Sequence, residues 1–379
     1  MNHAIKYPNQ HSNWIASAKT ITLLLVILGH CNYFEVLTPY GGVSHPSPHT
    51  LSQSIINGVI GFIYAFHMPF FMALSGLLYK LNVEKYNRLP KSTYFKKKFC
   101  RLIIPFFLTT LLVSVPLKYI SGYRDAAESP VNDIFWGQFM ILGNTHLWFV
   151  AALFWIFLFF YTIRRTSILN NPLSWIVLLL LHDVGTMWVM SGNSGHIQPP
   201  LGLTKAFAMM IYFAIGFQFL ANKNILGCLN VSGKICFMTV LCYIGCYIAY
   251  CNLNPDITLL WSLRFYIIRP LIAIGGIFTM TIVSMWVHHK TSMANHRLFK
   301  RLGNDSYELY LFSDPFNYVI LAAALFLSDT VTSSEWYTCL IFVFRFFATI
   351  ILAYGVIFLM NAFKSGYNTI KQRNITLSV

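Results

Sequence analysis

The residues of this chain best suited to chemistry are few and far apart. Lys19 and His30 bracket ten residues without a charge, TITLLLVILG. On an α-helix eleven residues at 100° each come to about 1100°, some 20° past three full turns, with a rise of roughly 16 Å. The two side chains therefore share one face of a helix, near its opposite ends. An imidazole exchanges a proton close to neutral pH and is the usual base for activating a hydroxyl. An ammonium can steady an anionic group three turns away. Other ionisable groups also lie in apolar surroundings. His67 precedes Pro69 in FHMPFFMALSGLLY, which also holds the small residues Ser75 and Gly76. Arg101 opens CRLIIPFF, His146 and Trp148 open THLWFVAALF, and Asp183 follows His182. Asp305, Glu308 and Asp314 occupy GNDSYELYLFSDPF, and Arg345 lies in the last apolar stretch. Ionisable groups inside a bilayer are costly and mark a pathway or a site unless structure alone uses them. Structural uses are available here: His67 as the cap of a carbonyl freed near Pro69, Arg101 as the last of a run of inner-face charges. Glu308 with Arg345 likewise reads as an ion pair.

The elements that must position these groups follow from composition. The chain has 379 residues, 56% of them hydrophobic and only 10% charged. Its mean hydropathy is +0.58. A soluble domain carries about 25% charged residues, so this chain is expected to be an integral membrane protein. Apolar runs predict an all-α bundle of ten transmembrane helices. They fall near residues 14–34, 55–79, 102–121, 145–163, 172–190, 204–221, 235–251, 262–286, 306–327 and 338–362. Each has the length a hydrocarbon core requires. The first lacks a small-residue cleavage site and is followed by further spans, so it is expected to stay in the mature protein. No internal repeat or composition shift marks a second domain, and residues 1–379 read as one membrane domain. Its loops are too short to hold a soluble catalytic module.

The net charge of +15 would suit a nucleic-acid binder, but its distribution argues against one. With both termini cytoplasmic, all the Lys and Arg fall on cytoplasmic segments except Lys118, Arg124, Lys205, Arg264, Arg269 and Arg345. That is the positive-inside pattern, and the basic run YFKKKFCR adds contact with anionic headgroups. No nucleic-acid partner is expected; membrane lipids are. The eight cysteines include no CxxC pair. Cys236, Cys242, Cys246 and Cys251 gather on the seventh helix without His or carboxylate neighbours, so they read as packing residues and no metal site is expected.

Taken in order, WIASAKTITLLLVILGH, FHMPFFMALSGLLY, KKKFCRLIIPF, HLWFVAALF and LGNDSYELYLF resemble the acyltransferase 3 family of bacterial membrane acyltransferases. The likeness covers essentially the whole chain, and its most specific part is the basic residue and histidine of the first helix. The lysine at that position is similar to the branch containing fucose 4-O-acetylases and related polysaccharide O-acetyltransferases. The resemblance implies transfer of an acyl group, usually acetyl, from cytoplasmic acyl-CoA to a hydroxyl on the other side. It implies that His30 is the essential histidine, Lys19 its basic partner and Arg101 a residue that holds the donor. Two positions depart from the pattern: Ala16 stands where this branch often has an aspartate, and Ser313 where the family commonly has a histidine.

The reading that follows is an inner-membrane, multi-pass O-acyltransferase. His30 is expected as general base and Lys19 as its catalytic partner. Arg101, Lys97 and Lys98 are expected to bind the donor. His67, Ser75, Trp148, Glu308 and Tyr310 are groove or acceptor candidates, and Ser75, Trp148 and Tyr310 are candidate donors to an oxyanion. No bound cofactor is expected; acetyl-CoA would be a co-substrate. The acceptor would be a glycan or lipid-linked sugar such as an O-antigen or exopolysaccharide unit. Export of a polysaccharide precursor through the bundle is the alternative from another class, although matched broken repeats are absent. Succinyl transfer by the same chemistry is the alternative within it.

Overall fold

The computed structural model describes residues 14–32, 50–121, 146–191, 200–222, 231–253, 258–327 and 335–376. Among them, ten long helices run in chain order. They are α1 (Trp14–Asn32), α2 (Leu51–Leu81), α3 (Lys91–Leu117), α4 (Trp148–Ile163), α5 (Pro172–Val189), α6 (Leu203–Leu220), α7 (Gly233–Asn252), α8 (Leu260–Lys290), α9 (Ser306–Leu327) and α10 (Glu335–Thr376). Eight of these are long and apolar enough to cross a bilayer; α4 is apolar but shorter, and α9 carries Glu308 and Asp314. The chain is an all-α polytopic bundle. Each expected helix has its counterpart. The differences are at the ends, where α3 begins at Lys91 and α10 continues to Thr376. Hydropathy marks the part of a helix that can cross lipid, whereas lysines are good helix formers and extend it beyond.

Proline explains most irregularities within the helices. Three wide turns close with bonds from Ile104 to Phe99, from Val115 to Thr110 and from Arg269 to Arg264, each N–H reaching the carbonyl five residues back. Each is followed at once by a proline: Pro105, Pro116 and Pro270. A proline has no N–H and crowds the preceding turn, so the helix loosens there and leaves a carbonyl to be satisfied otherwise. Helix α2 breaks at Ala65 and Phe66, before Pro69.

Close packing fixes the centre. Gly76 of α2 faces the backbone of Phe213, and Gly216 of α6 faces the backbone of Ala73, with no room at either glycine for a Cβ. Small residues let membrane helices approach to backbone contact, so α2 and α6 form a rigid pair. At the far end of α2, Thr50 and Gln53 make a reciprocal cap. There the Glu335 carboxylate accepts the Leu51 and Ser52 N–H groups at 2.8 and 2.7 Å. That clasp joins the first turns of α2 and α10 through a charge at a helix N-terminus. Along α1, the Thr20 hydroxyl donates to the Phe299 carbonyl at 3.1 Å. This fastens the short helix Arg297–Asn304 beside the Lys19 end.

Candidate functional site

His30 closes α1 in a tight final turn, His30–Asn32. Its Nδ1 lies 3.1 Å from Oδ1 of Asp314 on α9. The other Asp314 oxygen lies 3.2 Å from Nδ1 of His146, just before α4. One buried carboxylate therefore sits between two imidazoles from distant parts of the chain. Asp314 and His146 are each 2% exposed. The His30 side chain keeps 19% exposure although its Nδ1 is buried, so the accessible edge of the ring is the one turned away from Asp314. A carboxylate at Nδ1 favours the tautomer with its proton there, orients the ring and stabilises the cation formed when Nε2 takes a proton.

The position of His146 follows from Pro315. A proline at 315 cannot donate to the Leu311 carbonyl, four residues back in α9. His146 Nε2 lies 3.3 Å from that carbonyl. A carbonyl only accepts, so Nε2 carries the hydrogen of that contact. The Tyr310 hydroxyl donates to the His146 carbonyl and pins the same segment to α9.

The backbone of His30 is held separately. Arg345 is fully buried and reaches the end of α1. Its guanidinium donates to the Cys31 carbonyl at 2.9 Å, the His30 carbonyl at 3.4 Å and Asn317 Oδ1 at 3.0 Å. A cation over the last carbonyls of a helix satisfies acceptors that have no partner within it. Arg345 thus caps α1. The expected ion pair with Glu308 is not formed: Glu308 is exposed, and these Arg345 bonds run to the end of α1 and to Asn317. Counting from the clasp, Arg345 lies ten residues down α10 and Tyr64, whose hydroxyl donates to the Gly29 carbonyl, thirteen down α2. At 1.5 Å per residue the histidine site is recessed by about 15–20 Å.

The opposite end of α1 is cationic. Arg101 is exposed, within the wide turn of α3, and its charge acts on Lys19. Pro105 deprives the Arg101 carbonyl of its helical donor, and the Tyr307 hydroxyl supplies one at 2.8 Å, so α9 touches both ends of the site. Lys97 is exposed beside Arg101. Lys98 is placed differently from the expectation that grouped it with them. It is 7% exposed, with its ammonium 3.4 Å from the Phe157 ring centroid and 5.0, 5.5 and 6.0 Å from those of Tyr86, Tyr94 and Tyr79. Cation–π attraction in such a box ties α2, α3 and α4 together. Burial and the neighbouring Arg101 have a further effect nearby: burial pushes the Tyr86 phenol up from its ordinary range, and Arg101 only partly offsets it.

Of the groove candidates, the Ser75 hydroxyl donates to the Phe71 carbonyl at 3.0 Å within its own helix. His67 is buried, its Nδ1 2.9 Å from the Ile63 carbonyl at the break in α2. Its ring stacks on Tyr64, centroids 5.0 Å apart. His67 and Trp148 line a cavity of about 540 Å³, whose lining includes neither Lys19 nor His30. Tyr64 and His67 form its wall on the His30 side. Among the described residues no group of three or more His, Cys, Asp or Glu is arranged to hold a metal ion.

Sequence reasoning singled out His146 and Asp314 as misplaced polar residues but did not join them to His30. The signal was present in Pro315: a proline inside an apolar helix leaves Leu311 in need of a donor, and His146 is one of few at that depth. The family model described as an acyltransferase domain, acyltransferase 3, matches residues 12–359. No curated protein and no solved structure matches the chain.

Proposed function

The chain belongs to the acyltransferase 3 family, and from that premise we propose an O-acyltransferase of the bacterial inner membrane. It moves an acyl group, acetyl in the simplest case, from cytoplasmic acyl-CoA to a hydroxyl of a cell-surface carbohydrate. An O-antigen or exopolysaccharide unit is such an acceptor, in keeping with the resemblance to fucose 4-O-acetylases. The observation that carries this reading is the contact of Asp314 with His30, which leaves the far edge of the imidazole accessible.

In this reading His30 Nε2 takes the proton of the acceptor hydroxyl as its oxygen attacks the thioester carbonyl. The new C–O bond forms, the C–S bond breaks, and the departing thiolate receives the proton back from His30. Asp314 stabilises the transient imidazolium. The Ser75 and Tyr310 hydroxyls are engaged with the Phe71 and His146 carbonyls, which leaves neither with a hydrogen for the oxyanion. At the Lys19 end, Arg101 and Lys97 bind the donor's phosphates and Lys19 lies along the path of the thioester arm. Lys98, inside its ring box, is left to structure.

Inverted membrane vesicles supplied with labelled acetyl-CoA and a glycan acceptor test the reaction. Wild-type protein labels the glycan and His30→Ala does not. Undiminished labelling by His30→Ala would remove the base from the mechanism. Loss of surface polymer itself in a deletion strain, instead of its ester groups, would favour export.

A further inference from the structure

Arg264 and Arg269, which the positive-inside distribution leaves unexplained, stand near the start of α8. In a regular helix five residues turn through about 500°, which would set the two side chains some 140° apart. The wide turn ahead of Pro270 changes this. There the Arg269 N–H closes one whole turn on the Arg264 carbonyl, so both side chains leave α8 on nearly the same side, one above the other. Each meets a ring face: the Arg264 guanidinium carbon lies 4.9 Å from the Tyr250 centroid, and that of Arg269 lies 5.1 Å from the Phe265 centroid. Arg264 Nε is buried and has no hydrogen-bond acceptor among the described residues. Arg269 is exposed. Trp261, Phe265 and Tyr266 share this stretch, an aromatic belt of the kind found where a bilayer meets water.

Arg269 and Tyr250 also line the cavity of about 540 Å³. Most of its lining is apolar or aromatic, with Met68, Val189, Met209, Ile272 and Ala273 among the apolar residues, and no Asp or Glu is in it. Helices α5 and α8 both contribute to the lining, yet α5 packs chiefly on α6, and α8 on α1, α2 and α7. The wall between α5 and α8 is therefore where the cavity gives onto the membrane. A methylene takes up roughly the space of a water molecule, about 30 Å³, so on the order of eighteen fit this volume, the length of one lipid acyl chain. Two guanidiniums on one side of a helix suit the oxygens of a single phosphate.

We propose that this is a binding site for an anionic phospholipid, its phosphodiester held by Arg264 and Arg269 and one acyl chain passing between α5 and α8 into the cavity. The site is separate from His30 and does not depend on acyl transfer. Its test uses full-length purified protein in neutral detergent, without acyl-CoA. The probes are phosphatidylglycerol and phosphatidylethanolamine, each with a photoreactive diazirine near the end of one chain, and crosslinked residues are mapped by mass spectrometry. The phosphatidylglycerol probe should label lining residues such as Met209 and Ile272 about tenfold more than the phosphatidylethanolamine probe, the scale of one charge-assisted contact. Labelling of the exposed α10 residues Phe347 and Ile351 is the internal standard and should not distinguish the probes. Arg264→Gln/Arg269→Gln should lower labelling of the lining about tenfold against that standard, and Arg264→Lys/Arg269→Lys should keep most of it. In the wild type, excess unlabelled phosphatidylglycerol should abolish labelling of the lining, a result that needs no variant to fold. Equal labelling of the lining by both probes, labelling confined to outer helix faces, or labelling of the lining that survives the competitor overturns the proposal. So does a folded Gln variant whose lining is labelled like that of the wild type.

Discussion

Asp314 and His30, one near each end of the chain, meet at 3.1 Å through Oδ1 and Nδ1. The contact makes α9 the support of the base on α1. Asp314→Asn keeps the shape and removes the charge, and its amide can present a hydrogen to Nδ1 and so stabilise the wrong tautomer. We expect kcat for acetyl transfer to fall about 10²–10⁴-fold, with little change in the KM of either substrate. Activity within twofold of wild type would show that His30 works without this partner.

His146 is expected to act through Asp314. His146→Gln can still donate to the Leu311 carbonyl freed by Pro315 but no longer sets an imidazole nitrogen against the carboxylate. A fall of about tenfold in kcat, with KM unchanged and the folded yield preserved, is the expected result for a coupled neighbour. A KM effect alone would place His146 in acceptor binding.

Arg101 and Lys98 separate donor binding from packing. Arg101→Ala should raise the KM for acetyl-CoA about tenfold, the loss of one charge-assisted phosphate contact. Lys98→Met removes the cation from between four rings and should lower the Tm in detergent while leaving that KM in place. The reverse outcome would return Lys98 to the donor site.

The α2–α6 contact is expected to tolerate no added methyl. Gly76→Ala and Gly216→Ala each put a Cβ into opposing backbone. Each should cost about 1–3 kcal/mol as overpacking, read as a lower Tm. Gly245→Ala, where nothing lies within 4 Å of the new Cβ, is the control and should leave Tm within a degree or raise it, since alanine favours a helix.

The order of the long helices among the described residues was legible in the sequence because apolar length is a one-dimensional property, although eight rather than ten of them are long and apolar enough to span. The site was legible in part. Lys19 and His30 stood out by helical spacing, and Arg101 by its place at the start of an apolar run. Asp314 and His146 were visible only as isolated polar residues, since nothing local connects positions on α1, before α4 and on α9. Arg345 stands out in the sequence as needing a partner, but Glu308 is not that partner, and the cap on α1 was not visible. The end of a helix offers carbonyl acceptors without lowering net charge, and pattern reading does not count them. Lys98 shows the same limit in reverse: a lysine in a basic run looks solvated, and only the convergence of Tyr79, Tyr86, Tyr94 and Phe157 removes it from water.

The wide turns ahead of Pro105, Pro116 and Pro270 have a consequence for editing the gene. Each fits one residue more than a regular helix would need over the same rise, so each is a place where the chain holds slack. Deleting a single codon within 99–103, 110–114 or 264–268 can tighten the turn to ordinary pitch and leave the downstream register where it was. The same deletion in the straight part of α1 would swing every later side chain by about 100°, parting Lys19 from the face that carries His30.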